Sequence, residues 1–153
     1  QGDSVMQGYW DDPENTKDAL RDGWLYGGDI ATCDEDGFYT FRERKREISI
    51  HGGSNVGPHE VEDVIDSHPD VKESCVVGVP DTKYGAILAA YIEWEPGSWH
   101  EDTVELKSWV SSRIAAYKVP DYWSIMKQLP KTPTGKLDRK ALHLKAKAEA
   151  KKD

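Results

Sequence analysis

Lys136 is the lysine whose setting best suits chemistry. Pro130, Pro133 and Gly135 closely precede it, so residues 129–136 form a constrained loop, and a helical pattern resumes from Leu137. A lysine held at such a loop is a cation that can be aimed. Its compact ammonium suits phosphate and carboxylate oxygens as a point charge. The loop equally fits a solvated lysine in a surface turn, and on these residues alone that plainer reading is the better one. The other groups able to do chemistry are less suggestive. Cys33 and Cys75 stand far apart with no CxxC spacing, which points to neither a zinc site nor a redox pair, and to a reducing, cytoplasmic compartment. His51, His59, His68, His100 and His143 form no metal-ligand spacing. His59 and Asp63 share a helical face as an ordinary surface pair. No metal site is expected.

The elements that must hold these residues alternate irregularly. Residues 14–20 read as a short helix and 24–26 as a brief strand. Residues 30–33 and 38–41 flank Asp34-Glu-Asp-Gly37, a strong hairpin signal. Six consecutive charged residues, 42–47, cannot be core and are expected to be an exposed connection between two packed units. Beyond it, 48–50 alternates like a strand and runs into Gly52 and Gly53. Residues 58–67 carry helix signals, with Pro58 in the first turn and Val61, Val64 and Ile65 at helical spacing. Residues 71–79 and 87–94 read as strands. Residues 101–114 form an amphipathic helix with Val104, Leu106, Trp109, Val110 and Ile114 facing inward, and 122–126 is a last strand. The class is α+β: a small mixed domain with a short antiparallel sheet flanked by helices, preceded by a β-hairpin.

Composition narrows the function classes. The 153 residues are 37% hydrophobic and 31% charged, and no stretch approaches the ~20 apolar residues that span a bilayer. From Lys127 onward nine Lys/Arg face three Asp/Glu, so the preceding residues carry more than the whole net charge of −8. Such a surface argues against a general nucleic-acid or membrane binder. The terminal lysines, Lys145, Lys147, Lys151 and Lys152, read as the solvated end of a helix, where cations oppose the dipole. The chain starts at Gln1, with polar and acidic residues and no signal-peptide pattern, and is expected to be a portion of something longer.

Ten segments in order then carry a resemblance. They are Gly8-Tyr-Trp, Asp22-Gly-Trp-Leu-Tyr-Gly-Gly-Asp29, Asp36-Gly-Phe-Tyr, Glu43-Arg-Lys-Arg, His51-Gly-Gly-Ser-Asn-Val56, Pro58-His-Glu-Val-Glu62, His68-Pro-Asp-Val71, Val77-Gly-Val-Pro-Asp81, Tyr117-Lys-Val-Pro120 and the Lys136 loop. Together they resemble the C-terminal end of the acyl-adenylate-forming enzymes: acyl-CoA synthetases, adenylation domains of peptide synthetases, and luciferases. In that family a large N-terminal domain binds ATP and a carboxylic acid, and a small mobile domain closes over it. The acid becomes an acyl-adenylate as pyrophosphate leaves; the small domain then rotates and a thiol, usually coenzyme A, takes the acyl group.

The resemblance implies a role for each matching residue. Asp29 falls where an aspartate binds the ribose hydroxyls, and Arg44 where an arginine contacts the nucleotide. Glu43 occupies the hinge, where relatives carry aspartate or lysine. Gly52 and Gly53 match the pair lining the pantetheine tunnel, and Lys136 matches the adenylation lysine. Gly27 replaces a common threonine, Gly57 a common aromatic, and Ile50 a lysine that some relatives use. The implied layout is the end of the large domain over 1–42 and the mobile domain over 43–153. The implied ligands are ATP with Mg, held mainly by the large domain, and coenzyme A as co-substrate. The implied partners are the large domain and a small carboxylic acid. This chain alone is expected to be inactive. Two alternatives stay open: an adenylation domain that loads a carrier protein, and a non-catalytic module of the same fold.

Overall fold

The computed structural model describes residues 1–150, which divide into two compact units, 1–46 and 47–150. The division falls inside the charged run. In the first unit, helix α1 (Pro13–Ala19) starts at Asp12, whose carboxylate accepts from the Asn15 N–H at 3.1 Å, with Pro13 at the first position. Two-residue strands β1 (Leu20–Arg21) and β2 (Trp24–Leu25) pair antiparallel. Strands β3 (Asp29–Cys33) and β4 (Tyr39–Arg44) form the expected hairpin. Its turn is closed by the Asp34 carboxylate, which accepts from the N–H groups of Asp36 (3.1 Å) and Phe38 (2.8 Å), with Gly37 at φ 85°. β4 continues through Arg44, so the charged run begins inside a paired strand rather than as a free connection. Nor is the run exposed throughout as expected: Glu43 is buried, and its carboxylate accepts from the Arg44 N–H.

The second unit is built on one sheet. β5 (Ser49–His51) and β6 (Ser54–Val56) form a hairpin that the sequence reading did not foresee. Its loop is Gly52 and Gly53, at φ 55° and 83°, the type I′ pattern that favours glycine at both positions. Long strands β7 (Val71–Asp81) and β8 (Gly85–Trp94) pair antiparallel over nearly their full length. β5 meets β8 at Gly85, and β9 (Tyr122–Met126) pairs with β8 in parallel from Ala89 to Glu93. The antiparallel sheet thus gains one parallel strand.

Three helices cover the sheet: α2 (Pro58–Asp66), α3 (Val104–Ser111) and α4 (Arg139–Glu149), with a short 3-10 turn at Ala116–Lys118. The period of two along β7 and β8 divides the core. Val76, Leu88, Ala90, Ile92 and Trp94 pack with Val61 and Ile65 of α2 and Leu106 and Val110 of α3. Cys75, Val77, Val79, Ala89 and Tyr91 pack with Leu142 and Ala146 of α4. Val104, expected inward, is exposed because it sits in the first turn of α3. Trp109 and Ile114 pack at the core's edge. Lys145 pairs with Glu149 on the exposed face of α4 at 2.7 Å, and Lys147 is in its last turn. Lys151 and Lys152 lie outside the described residues. Among the described residues, no helix is long and apolar enough to cross a membrane.

Candidate functional site

The first unit brings two of the singled-out residues together. Asp29 and Arg44 are register partners at the open end of the β3–β4 hairpin. Arg44 Nε lies 2.8 Å from Asp29 Oδ1, and a second guanidinium nitrogen reaches the Gly27 carbonyl at 3.5 Å. Both side chains are nearly half exposed, so the pair adds at most about 1 kcal/mol to stability. Its value lies in what it presents. Asp29 Oδ2 has no hydrogen-bond partner among the described residues, which leaves an acceptor for hydroxyl donors beside a planar donor fork. A shallow concavity lined by Gly27, Gly28, Arg44, Lys45 and Arg46 adjoins it. Gly28, at φ 75°, turns the backbone so that its carbonyl accepts from the Lys45 N–H at 2.9 Å. Glu43 lies opposite Ile30, next to a bulge in the hairpin, and its carboxylate accepts from the Arg44 N–H at 3.0 Å.

Lys136 belongs to the second unit. Its loop is a miniature hairpin closed by a bridge between Lys131 and Leu137. The Gly135 N–H donates to the Thr132 carbonyl at 2.8 Å, and the Thr132 N–H donates to the Lys136 carbonyl at 2.7 Å. Pro133 presets the turn and Gly135 takes φ 84°. This is a turn followed by a left-handed glycine, the construction also seen at Asp34 to Phe38. Lys136 sits directly after that glycine, exposed, and its ammonium makes no hydrogen bond or ion pair with any other described residue. Helix α4 starts later than the sequence suggested: Leu137 belongs to the hairpin stem, and Asp138 caps the helix by accepting from the Ala141 N–H at 2.9 Å.

Gly52 and Gly53 lie on another loop of the same unit. The Gly52 N–H donates to the Tyr84 carbonyl at 2.9 Å, and a side-chain carbon at either glycine would meet open space. His51, adjacent, stacks on Tyr84 with ring centres 5.5 Å apart and contacts the Ala86 carbonyl at 2.7 Å.

The sequence reading missed a partly buried polar network between α2, β7 and α4. Arg139 donates to both oxygens of Glu62, at 2.8 Å to Oε1, and to the Val76 carbonyl at 3.2 Å. Glu62 also accepts from the Val76 N–H at 2.6 Å. His59 contacts Glu62 and Arg139 at 2.8 Å each. Glu47 lies 3.6 Å from Arg139 Nε. Burial works against the Arg139 charge, but Glu62 outweighs it and holds the guanidinium more firmly protonated than usual. Cys75, beside this network, is pushed up to about 12 by burial and is an inert thiol. Glu62 and Arg139 are 77 residues apart, and no local pattern links them.

The described arrangement offers an exposed acceptor and donor fork in one unit, and an exposed, unpaired cation with an open glycine turn in the other. The AMP-binding enzyme C-terminal domain family matches residues 60–136. The chain is 44% identical over 142 residues to the long-chain-fatty-acid–CoA ligase of Bacillus subtilis, covering 93% of this chain and 25% of that protein. It resembles the ATP-bound structure of MatB from Rhodopseudomonas palustris with a TM-score of 0.88 at 32% identity, covering 96% of this chain and 29% of that one. The amide bond synthetase McbA from Marinactinospora thermotolerans gives a TM-score of 0.84 at 36% identity, covering 93% and 28%. The chain spans about a quarter of the length of the curated relatives it matches.

Proposed function

Since this chain belongs to the AMP-binding enzyme C-terminal domain family, we propose that it is the C-terminal part of an AMP-forming acyl-CoA synthetase. That enzyme activates a carboxylic acid with ATP to an acyl-adenylate and passes the acyl group to coenzyme A. The observation that carries the reading is Lys136: an exposed, unpaired ammonium on a hydrogen-bonded hairpin.

Each half of the chemistry has a group suited to it. Adenylate formation brings a carboxylate against a phosphate, and a cation between them relieves the repulsion that peaks in the transition state. At an effective dielectric near 20, unit charges ~4 Å apart interact by about 4 kcal/mol. Lys136 supplies that cation. Asp29 accepts from the ribose hydroxyls, and Arg44 holds Asp29 in place while offering donors to the nucleotide. Glu43 is the pivot on which residues 43–153 turn relative to the large domain, of which residues 1–42 are the end. After the turn, the Gly52–Gly53 loop lines the path of the pantetheine arm, where the missing side chains let a ligand pass close to the backbone. Mg accompanies ATP and is held mainly by the large domain, as is the acid. The reaction is placed in the cytoplasm, with neither nucleic acid nor membrane as a partner.

Coenzyme A is favoured as acceptor by the CoA ligases among the relatives. The amide-forming McbA shares the fold, so the fold does not dictate the acceptor. The test is to give the full-length protein ATP and a panel of carboxylic acids, and then offer coenzyme A or a phosphopantetheinyl carrier protein. AMP, pyrophosphate and an acyl-CoA are the expected products. Acyl transfer to the carrier alone would make it a carrier-loading adenylation domain, and no nucleotide turnover would make it a non-catalytic module.

A further inference from the structure

The hairpin that carries Lys136 is short, so its direction depends on what grips its two ends. On the incoming side, the Leu129 N–H donates to Glu93 Oε2 at 2.7 Å, and Lys131 pairs with Glu73 of β7. The stem is closed by the Asp138 N–H, which donates to the Pro130 carbonyl at 2.8 Å. On the outgoing side the grip is Arg139, three residues past Lys136. Its fork lies on both Glu62 oxygens and on the Val76 carbonyl.

We propose that the Arg139–Glu62 pair is a positioning device for Lys136, one that fixes the hairpin's angle to the sheet so that the ammonium reaches the reacting oxygens. The proposal rests on Lys136 acting in adenylate formation. Stability alone is a poor reason for the pair, because taking the Glu62 carboxylate and much of the Arg139 guanidinium out of water offsets a large part of their attraction. A bidentate fork supplies direction instead. Two parallel bonds fix distance and rotation together, and the Val76 carbonyl fixes the third point. Glu62 is itself held by the Val76 N–H at 2.6 Å, so the anchor is tied to the central sheet as well as to α2. A displacement of about 1 Å at a reacting group costs on the order of 100-fold in rate.

The test is a double-mutant cycle in the full-length protein with Arg139→Gln, Lys136→Ala and the double variant. Adenylate formation is read from pyrophosphate release, and thioester formation from a supplied acyl-adenylate. The expected result is a loss of about 10- to 100-fold in adenylation kcat for Arg139→Gln, with KM for ATP and acid little changed. In the Lys136→Ala background the same substitution adds no further loss, and thioester formation is unchanged throughout. An equal fold-loss in both backgrounds, or equal loss of both half-reactions, overturns the proposal in favour of a purely structural role. Arg139→Lys keeps the buried charge and lacks the fork; it replaces Arg139→Gln in the cycle if the latter does not fold, with the same outcomes. Lys136→Ala with intact adenylation would instead remove the underlying assignment of Lys136, a failure visible before the Arg139 arm is read.

Discussion

At the scale of single residues, the chain separates groups that present chemistry from groups that hold shape. Lys136, like Lys17, Lys127 and Lys140, makes no side-chain pair among the described residues. What sets it apart is its place on the hairpin directly after Gly135. Lys72, Lys118 and Lys131 pair with carboxylates. Gly52 and Gly53 serve both ends: their positive φ makes the β5–β6 turn, and their missing side chains leave its surface open. Gly53→Ala forces an L side chain into a left-handed conformation at a cost of roughly 1–2 kcal/mol. Thermal melting of the chain is expected to shift down accordingly; an unchanged melting temperature would contradict the turn geometry. The lysine loop was legible in the sequence because Pro133 and Gly135 dictate their own dihedrals. The glycine pair was legible as a tight turn, but the second strand of the hairpin it closes was not, because residues 54–56 carry no strand pattern of their own. Arg139 and Glu62 look like ordinary surface charges on their own helices, and only the fold makes them a bidentate pair.

At the scale of elements, β8 organises the second unit, because it pairs with β5, β7 and β9 and faces helices on both sides. Its one buried carboxylate, Glu93, accepts from the Lys72 ammonium at 2.5 Å and from the Leu129 N–H. Burial opposes its ionisation, but Lys72, the Leu129 N–H and the Lys131 charge outweigh it and hold the carboxyl below the usual glutamate range. A depressed acid contributes stability that is complete above its unfolded value, 4.5, and is lost as pH falls through the lower folded value. Glu93→Gln is therefore expected to cost about 1–3 kcal/mol near neutral pH and to flatten the acid limb of the stability curve. Acid limbs of equal slope in the two proteins would refute this role. The strands and helices were largely legible, since β7 and β8 are β-rich apolar runs and α2 carries its proline and its apolar spacing. Val104 was misjudged because periodicity assigns a face and says nothing of where the first turn meets solvent. The parallel pairing of β9 depends on the whole path from β8 through α3, which no local pattern encodes.

At the scale of the molecule, the two units differ in kind. Among the described residues, every buried hydrophobic side chain lies at Val56 or beyond, so the second unit owns the core. The first unit leaves Tyr9, Trp10, Trp24, Tyr26, Phe38 and Tyr39 exposed. Such a surface fits the proposal that residues 1–42 complete a large domain, and it was not legible beforehand because aromatic residues in strands ordinarily mark a core. The proposed site is divided in the same way, with Asp29 and Arg44 in the first unit and Lys136 in the second. The measurement that tests the account most directly is the rate of each half-reaction in the full-length protein carrying Lys136→Ala. The account predicts that acyl-adenylate formation falls by on the order of 10²- to 10³-fold while thioester formation from a supplied acyl-adenylate keeps its rate. Equal loss of both half-reactions, or adenylate formation at the unsubstituted rate, would contradict it.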